Sequence, residues 1–292
     1  MSPSPALVVA AAGLAGPFVL RSWTRRRPVT PLVVVAGHLA ALLVAWGGLL
    51  GVLGRHHHLL GICEVLLASL WESPAPLDQL MAAALVLALP GRALLRVRAS
   101  VAAHRRLRHV LVRGAGGAVQ QRRGMGAAAV TVGLLRPVVV YDPVVLGGLH
   151  RDQRRAILVH ERAHAAARHG LIVAVAEALA AGLHPWPGAS AARDEISMHL
   201  EAHADERAAR RTSPASVARA SLCVGSRPGP DPALGMAGWP VWRVERLLRA
   251  RPARWSAVVG AVGALVAGGL GIQGSAHALL GSHVVPALHA LC

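Results

Sequence analysis

The stretch LVHERAHAAARHG, residues 158–170, decides how the rest of the chain is read. His160 and His164 are four residues apart, so on a helix they share a face and both imidazoles reach one ion. Glu161, next to the first of them, then sits beside any water that the ion holds. Zinc with three protein ligands lowers the pKa of its water to about 7, and a carboxylate beside it can take the released proton and pass it to a leaving amine. The pentad alone is weak evidence: with 16 His and 8 Glu in 292 residues, a shuffled chain spells it roughly once in forty. The plain alternative leaves both histidines on a surface or lipid-facing helix, with Glu161 pairing to Arg155 or Arg162.

SMHLEAHADERAARR, residues 197–211, supplies the missing context. Glu201 and Asp205 again lie four apart, so Glu201 can complete a His, His, Glu set while Asp205 hydrogen-bonds the outer nitrogen of a ligand imidazole. Pairing of both acids with Arg207 to Arg211 on a solvated face is the competing reading. Glu201 follows His164 by 37 residues, with a helix and a break between them, which leaves room for an antiparallel return. His199 and His203 are also four apart and stay open as a rival third ligand or a second metal site, although Glu201 lies on a different face from both.

Around these stretches the local signals are ordinary. Residues 98–126 read as a juxtamembrane helix followed by a loop, and AAAVTVGLLRPVVVYDP, 127–143, as a hairpin or two strands turning at Leu135–Pro137. Asp152 is the expected N-cap of a helix over about 153–168 and Gly170 its expected stop. HPWPG, 184–188, breaks the chain before a helix over about 190–211.

The composition points to a bilayer. Hydrophobic residues make up 54% of the chain and aromatics only 3%, and mean hydropathy is +0.46, which excludes an ordinary soluble enzyme. Apolar stretches long enough to span lie at about 5–21, 31–53, 77–97 and 255–274. The run 59–71 is too short and reads as an interfacial helix. The run 171–183, interrupted by Glu177, reads as a core helix or one lying against the bilayer. All 31 basic residues are Arg, for a net charge of +17, in the manner of a high-GC bacterial genome. The arginines collect after the first and third spans and before the fourth, which places the N-terminus outside, 98–253 inside and the C-terminus outside. No direct nucleic-acid binding is expected, because aromatic interleaving is absent. Cys63, Cys223 and Cys292 form no metal-like spacing, and HHH at 56–58 reads as a polar outer loop.

LLRPVVVYDP, ILVHERAHAAARHG, Glu201 to Asp205 as E-x-x-A-D, and WRVERLL at 242–248 together resemble the membrane zinc metallopeptidases of the BlaR/MecR antirepressor type. More distantly they resemble the HtpX and CAAX-protease type, and the likeness covers about 130–250. It departs from the family at His169, where an Asp often stands, and at His203. The resemblance implies a mainly α membrane protein: three N-terminal spans within 1–97, an α+β zincin-like (gluzincin) cytoplasmic protease domain over 98–253, a fourth span over 254–274 and a short outer tail, 275–292. It implies one zinc ion held by His160, His164 and Glu201, Glu161 as general base and Asp205 as a supporting hydrogen-bond partner. The expected function is zinc-dependent cleavage of a cytoplasmic protein at a bacterial plasma membrane, with a BlaI-type transcriptional repressor as a plausible substrate. The alternative is a catalytically silent membrane scaffold that keeps the fold. Sensor members of the family carry an outer penicillin-binding domain; with no Lys in the chain a Ser-x-x-Lys nucleophile is impossible, so β-lactam acylation is not expected of this polypeptide.

Overall fold

The computed structural model describes residues 5–26, 29–56, 77–112, 114, 117–224 and 240–249. The expected fourth span, the 59–71 helix, the outer tail and the last two histidines of HHH lie outside the described residues. Two long apolar helices open the chain, α1 (Pro5–Arg26) and α2 (Pro31–His56). Both contain stretches long and apolar enough to cross a membrane, Leu7–Thr24 and Pro31–Gly51. They form an antiparallel pair whose backbones nearly touch. A Cβ on Gly13 would meet the Ala45 backbone, one on Gly48 the Ala10 backbone, and one on Gly16 the Ala41 side chain. Apolar helices in lipid gain little from burial as such, so close approach through small residues is what holds them. Replacing Gly48 by Val is therefore expected to push α1 off α2 and cost about 1–3 kcal/mol. The loss should be read as a lower unfolding midpoint in detergent, and an unchanged midpoint would mean that this contact is dispensable.

Helix α3 (Leu77–Leu111) runs unbroken through Pro90. The third expected span and the juxtamembrane helix after it are thus one 35-residue rod. It docks on a later helix through Arg96, 2.9 Å from Glu177, and Arg92, which donates to the His184 carbonyl at 2.8 Å.

A small sheet follows, made of β1 (Val119–Gln121), β2 (Ala129–Val132) and β3 (Val138–Tyr141) in the order β1-β3-β2. The antiparallel β2–β3 pair, with Val132 opposite Val138, is the hairpin read from the sequence. Strand β1 pairs parallel to β3 and was not expected, since VQQ carries no β-branched alternation. Asp142 closes the sheet by accepting from the backbone N–H groups of Gly124, Met125 and Val144. Those bonds outweigh its burial and hold its carboxyl below the usual range.

After a short helix, α4 (Pro143–Gly147), comes α5 (Arg151–Ala167), capped by His150 rather than Asp152. The His150 backbone N–H donates to the Gln153 side chain at 2.9 Å, leaving Asp152 in the first turn. Its end differs from expectation as well. Arg168 takes the left-handed conformation, φ 50°, and α6 (His169–Gly182) starts at once, bent 58° from α5. Gly170 lies inside α6, two residues past the bend at Arg168. Taken together α5 and α6 are apolar enough for one broken span, but the exposed positions of α5 include Arg151, Arg154, Arg155 and Arg162. Lipid-facing arginines at that density are too costly, so α5 is read as an interior helix with one solvated side.

Helix α7 (Pro187–Arg211) starts earlier than expected because Pro187 fits the first helical position, and α8 (Pro214–Val224) and α9 (Pro240–Leu248) complete the described chain. Helix α7 is the central strut. Its N-terminal half buries Ala189, Ala192, Ile196 and Leu200 in one cluster with Leu42 and Ala45 of α2 and Ala176 and Ala180 of α6. Its C-terminal half joins Ala156 and Ile157 of α5, Val217 of α8 and Leu247 of α9 in another. The apolar helix α2 therefore shares a core with α6 and α7, and α7 links it to the second cluster.

Candidate metal centre

The helical period puts His160 and His164 on the buried face of α5, and α7 lies antiparallel across that face. His160 meets Asp205 while His164, one turn on, meets Glu201. The four residues, with Glu161, are almost wholly buried, none more than 3% exposed. The two Nε2 atoms are 3.0 Å apart; Glu201 Oε2 is 3.4 Å from that of His160, and Oε1 is 3.3 Å from that of His164. One ligand atom from each of His160, His164 and Glu201 lies within 4.8 Å of the others, and among the described residues they form the one such group of three or more. Asp205 Oδ1 stands 3.0 Å from Nδ1 of His160, on the far side of the ring.

His199 and His203 do not join the group. His199 Nδ1 is bonded to the Glu195 carbonyl at 2.9 Å, and its ring lies edge-on to Trp242. His203 instead ends a chain of rings. His164 Nδ1 is 2.8 Å from His169 Nδ1, and His169 Nε2 is 3.0 Å from His203 Nδ1. The bend at Arg168 folds His169 back beneath His164. A metal-ligating imidazole needs its second nitrogen engaged to fix its orientation; His160 has a carboxylate for this and His164 has a histidine. Burial, together with the neighbouring rings, drives His169 down to about 3 and His164 well below its ordinary value, so both are neutral, the form that binds metal.

Two further residues complete the centre, neither singled out by sequence reasoning. Arg243 of α9 is fully buried. It forks onto Asp205, Nε to Oδ2 at 2.7 Å and Nη2 to Oδ1 at 2.6 Å, and its Nη1 lies 3.0 Å from Glu201 Oε2. The acids of α7 thus pair with Arg243 and not with Arg207 to Arg211. WRVERLL was visible as a segment, but nothing in it marks which arginine turns inward. Thr131 of β2 donates its hydroxyl to Glu161, 2.7 Å from Oε2 and 2.9 Å from the carbonyl oxygen. A threonine in AVTV is an ordinary strand residue and carries no signal.

No family model, curated protein or solved structure matches this chain. The fit of a cation must be judged from the site itself. Three buried carboxylates, Glu161, Glu201 and Asp205, face one guanidinium, so with all three ionised and His160 neutral the group carries two excess negative charges in a region of low dielectric. That excess is costly without a counter-charge. Its effect is seen on His160, where burial opposes charge but the hydrogen bonds that the ring donates to Asp205 and Glu201 prevail and push it up to about 9. Burial pushes Glu161 up to about 7, against the pull of His160 and Thr131. Glu161 Oε1 is buried with no hydrogen-bond partner, and an unmet acceptor there costs about 1–3 kcal/mol. A divalent cation with a bound water answers both defects, so His160, His164 and Glu201 fit a metal ion.

Proposed function

We propose that this chain is an integral membrane zinc endopeptidase cutting a protein on the cytoplasmic side of a bacterial plasma membrane. The observation that carries the reading is the pairing of the His160, His164, Glu201 group with Glu161, whose Oε1 is buried and unpartnered. Two imidazoles and one carboxylate form a catalytic rather than a structural zinc set, since the fourth position stays open. Zinc held by His160, His164 and Glu201 would supply a water of lowered pKa and a Lewis acid for the substrate carbonyl. Glu161, held on Oε2 by Thr131, takes the proton on Oε1 and returns it to the leaving amine. Asp205, fixed by Arg243, holds the His160 ring in the orientation and tautomer a ligand needs. Strand β2 is joined to α5 through Thr131, which ties the sheet to the helix that carries Glu161. A BlaI-type transcriptional repressor is the substrate class suggested by the sequence resemblance.

A silent scaffold has no need of an ionisable group beside the metal with one oxygen tied and the other unmet, which favours the peptidase. The test is cleavage of an unfolded protein by the purified full-length chain in detergent. Cleavage should stop with a zinc chelator and return on adding Zn2+. Cleavage that persists after complete metal removal, or none from metal-loaded protein, would sink the proposal.

A further inference from the structure

On the side of α5 opposite His160, a groove of about 580 Å³ runs between the end of β3, α4 and the last turn of α7. Its rim carries Arg151, Arg154, Arg155 and Arg162 from α5 and Arg211 from α7. All five are exposed, and among the described residues none makes a side-chain hydrogen bond or ion pair. No carboxylate lines it; nearby Asp142 is buried and spent on backbone N–H groups. The floor is apolar, with Leu158 half-buried and Leu146 and Val159 buried.

We infer that this groove docks an acidic, partly apolar segment of a partner protein. Five guanidinium groups around one cavity repel one another, and their positions are explained when carboxylates lie between them, each able to accept a fork of two hydrogen bonds. The floor supplies what a purely polyanionic ligand would not use, a place for aliphatic side chains. Nucleic acid is disfavoured because a single aromatic, Tyr141, lines the groove where bases would need stacking surfaces. Lipid headgroups are disfavoured for the same reason as other polyanions: the apolar floor of Leu146, Leu158 and Val159 would be left without a partner. The surface does not depend on peptide cleavage, so its failure and the failure of the peptidase reading are separable.

The test uses the full-length chain in nanodiscs, a short fluorescent peptide alternating Glu and Leu, and a single-stranded oligodeoxynucleotide of equal charge. Replacing Arg151, Arg155 and Arg211 together by Gln should weaken peptide binding at least about tenfold, and binding should fall steeply with salt. Replacing exposed Arg98, Arg105 and Arg106 of α3 by Gln should change it less than about twofold. The inference is overturned by equal weakening from the two triple replacements. It is overturned equally by no peptide binding to the unaltered chain, or by tighter binding of the oligonucleotide that the groove replacement removes.

Discussion

Replacing Arg243 by Leu is expected to destabilise the chain by about 3–5 kcal/mol, the usual cost of stranding one side of a buried ion pair. Leucine fills much of the volume but strands Asp205 and brings Glu201 and Asp205 into unscreened repulsion, with Glu161 adding to it. Lysine is not an adequate substitute, because a single ammonium cannot reproduce the two parallel bonds to Asp205. The unfolding midpoint in detergent and the bound metal per chain report the effect. Adding Asp205→Asn to Arg243→Leu should recover part of the loss, since it removes one of the stranded charges. If Arg243→Leu leaves the midpoint unchanged, charge balance does not govern this centre.

Glu161→Gln should lower kcat by about 100- to 10,000-fold, the range for loss of a positioned general base, while leaving metal content near that of the unaltered chain. Glutamine keeps the shape and can still accept from Thr131, so binding and folding should be little disturbed. The pH dependence follows from the same residue. Burial pushes Glu161 up to about 7, and only its ionised form takes a proton. Cleavage must therefore fall as pH drops through that carboxyl's pKa and level off above it. A cation beside the group favours its ionised form, so the acidic limb belongs at or below about 7. Undiminished turnover by Glu161→Gln would remove Glu161 from the chemistry altogether.

The parts of the centre that a reader of the sequence could see are those set by helical period. His160 with His164, and Glu201 with Asp205, are neighbours because residues four apart on a helix always are. The meeting of the two pairs rests on an antiparallel return that the intervening break suggests. What escaped notice depends on contacts between distant segments. Arg243 reaches Asp205 across 38 residues, and Thr131 reaches Glu161 from a strand whose alternation announces only burial. The bend at Arg168 was hidden for another reason: a left-handed arginine is an uncommon conformation that tertiary packing imposes, whereas Gly170 offered the usual stop signal and was not used. Strand β1 exists because β3 has a free edge to pair with, a property of β3 and not of VQQ.

The common core of α2, α6 and α7 has a practical consequence. A fragment beginning at residue 98 would keep all the metal-centre residues and lose the wall that Leu42 and Ala45 provide. The flank of α7 bearing Ala189, Ala192, Ile196 and Leu200 would then face water, and a chain trimmed for solubility would aggregate through the helix that also carries Glu201. A water-soluble version requires that flank to be rewritten with polar side chains as well as the spans removed.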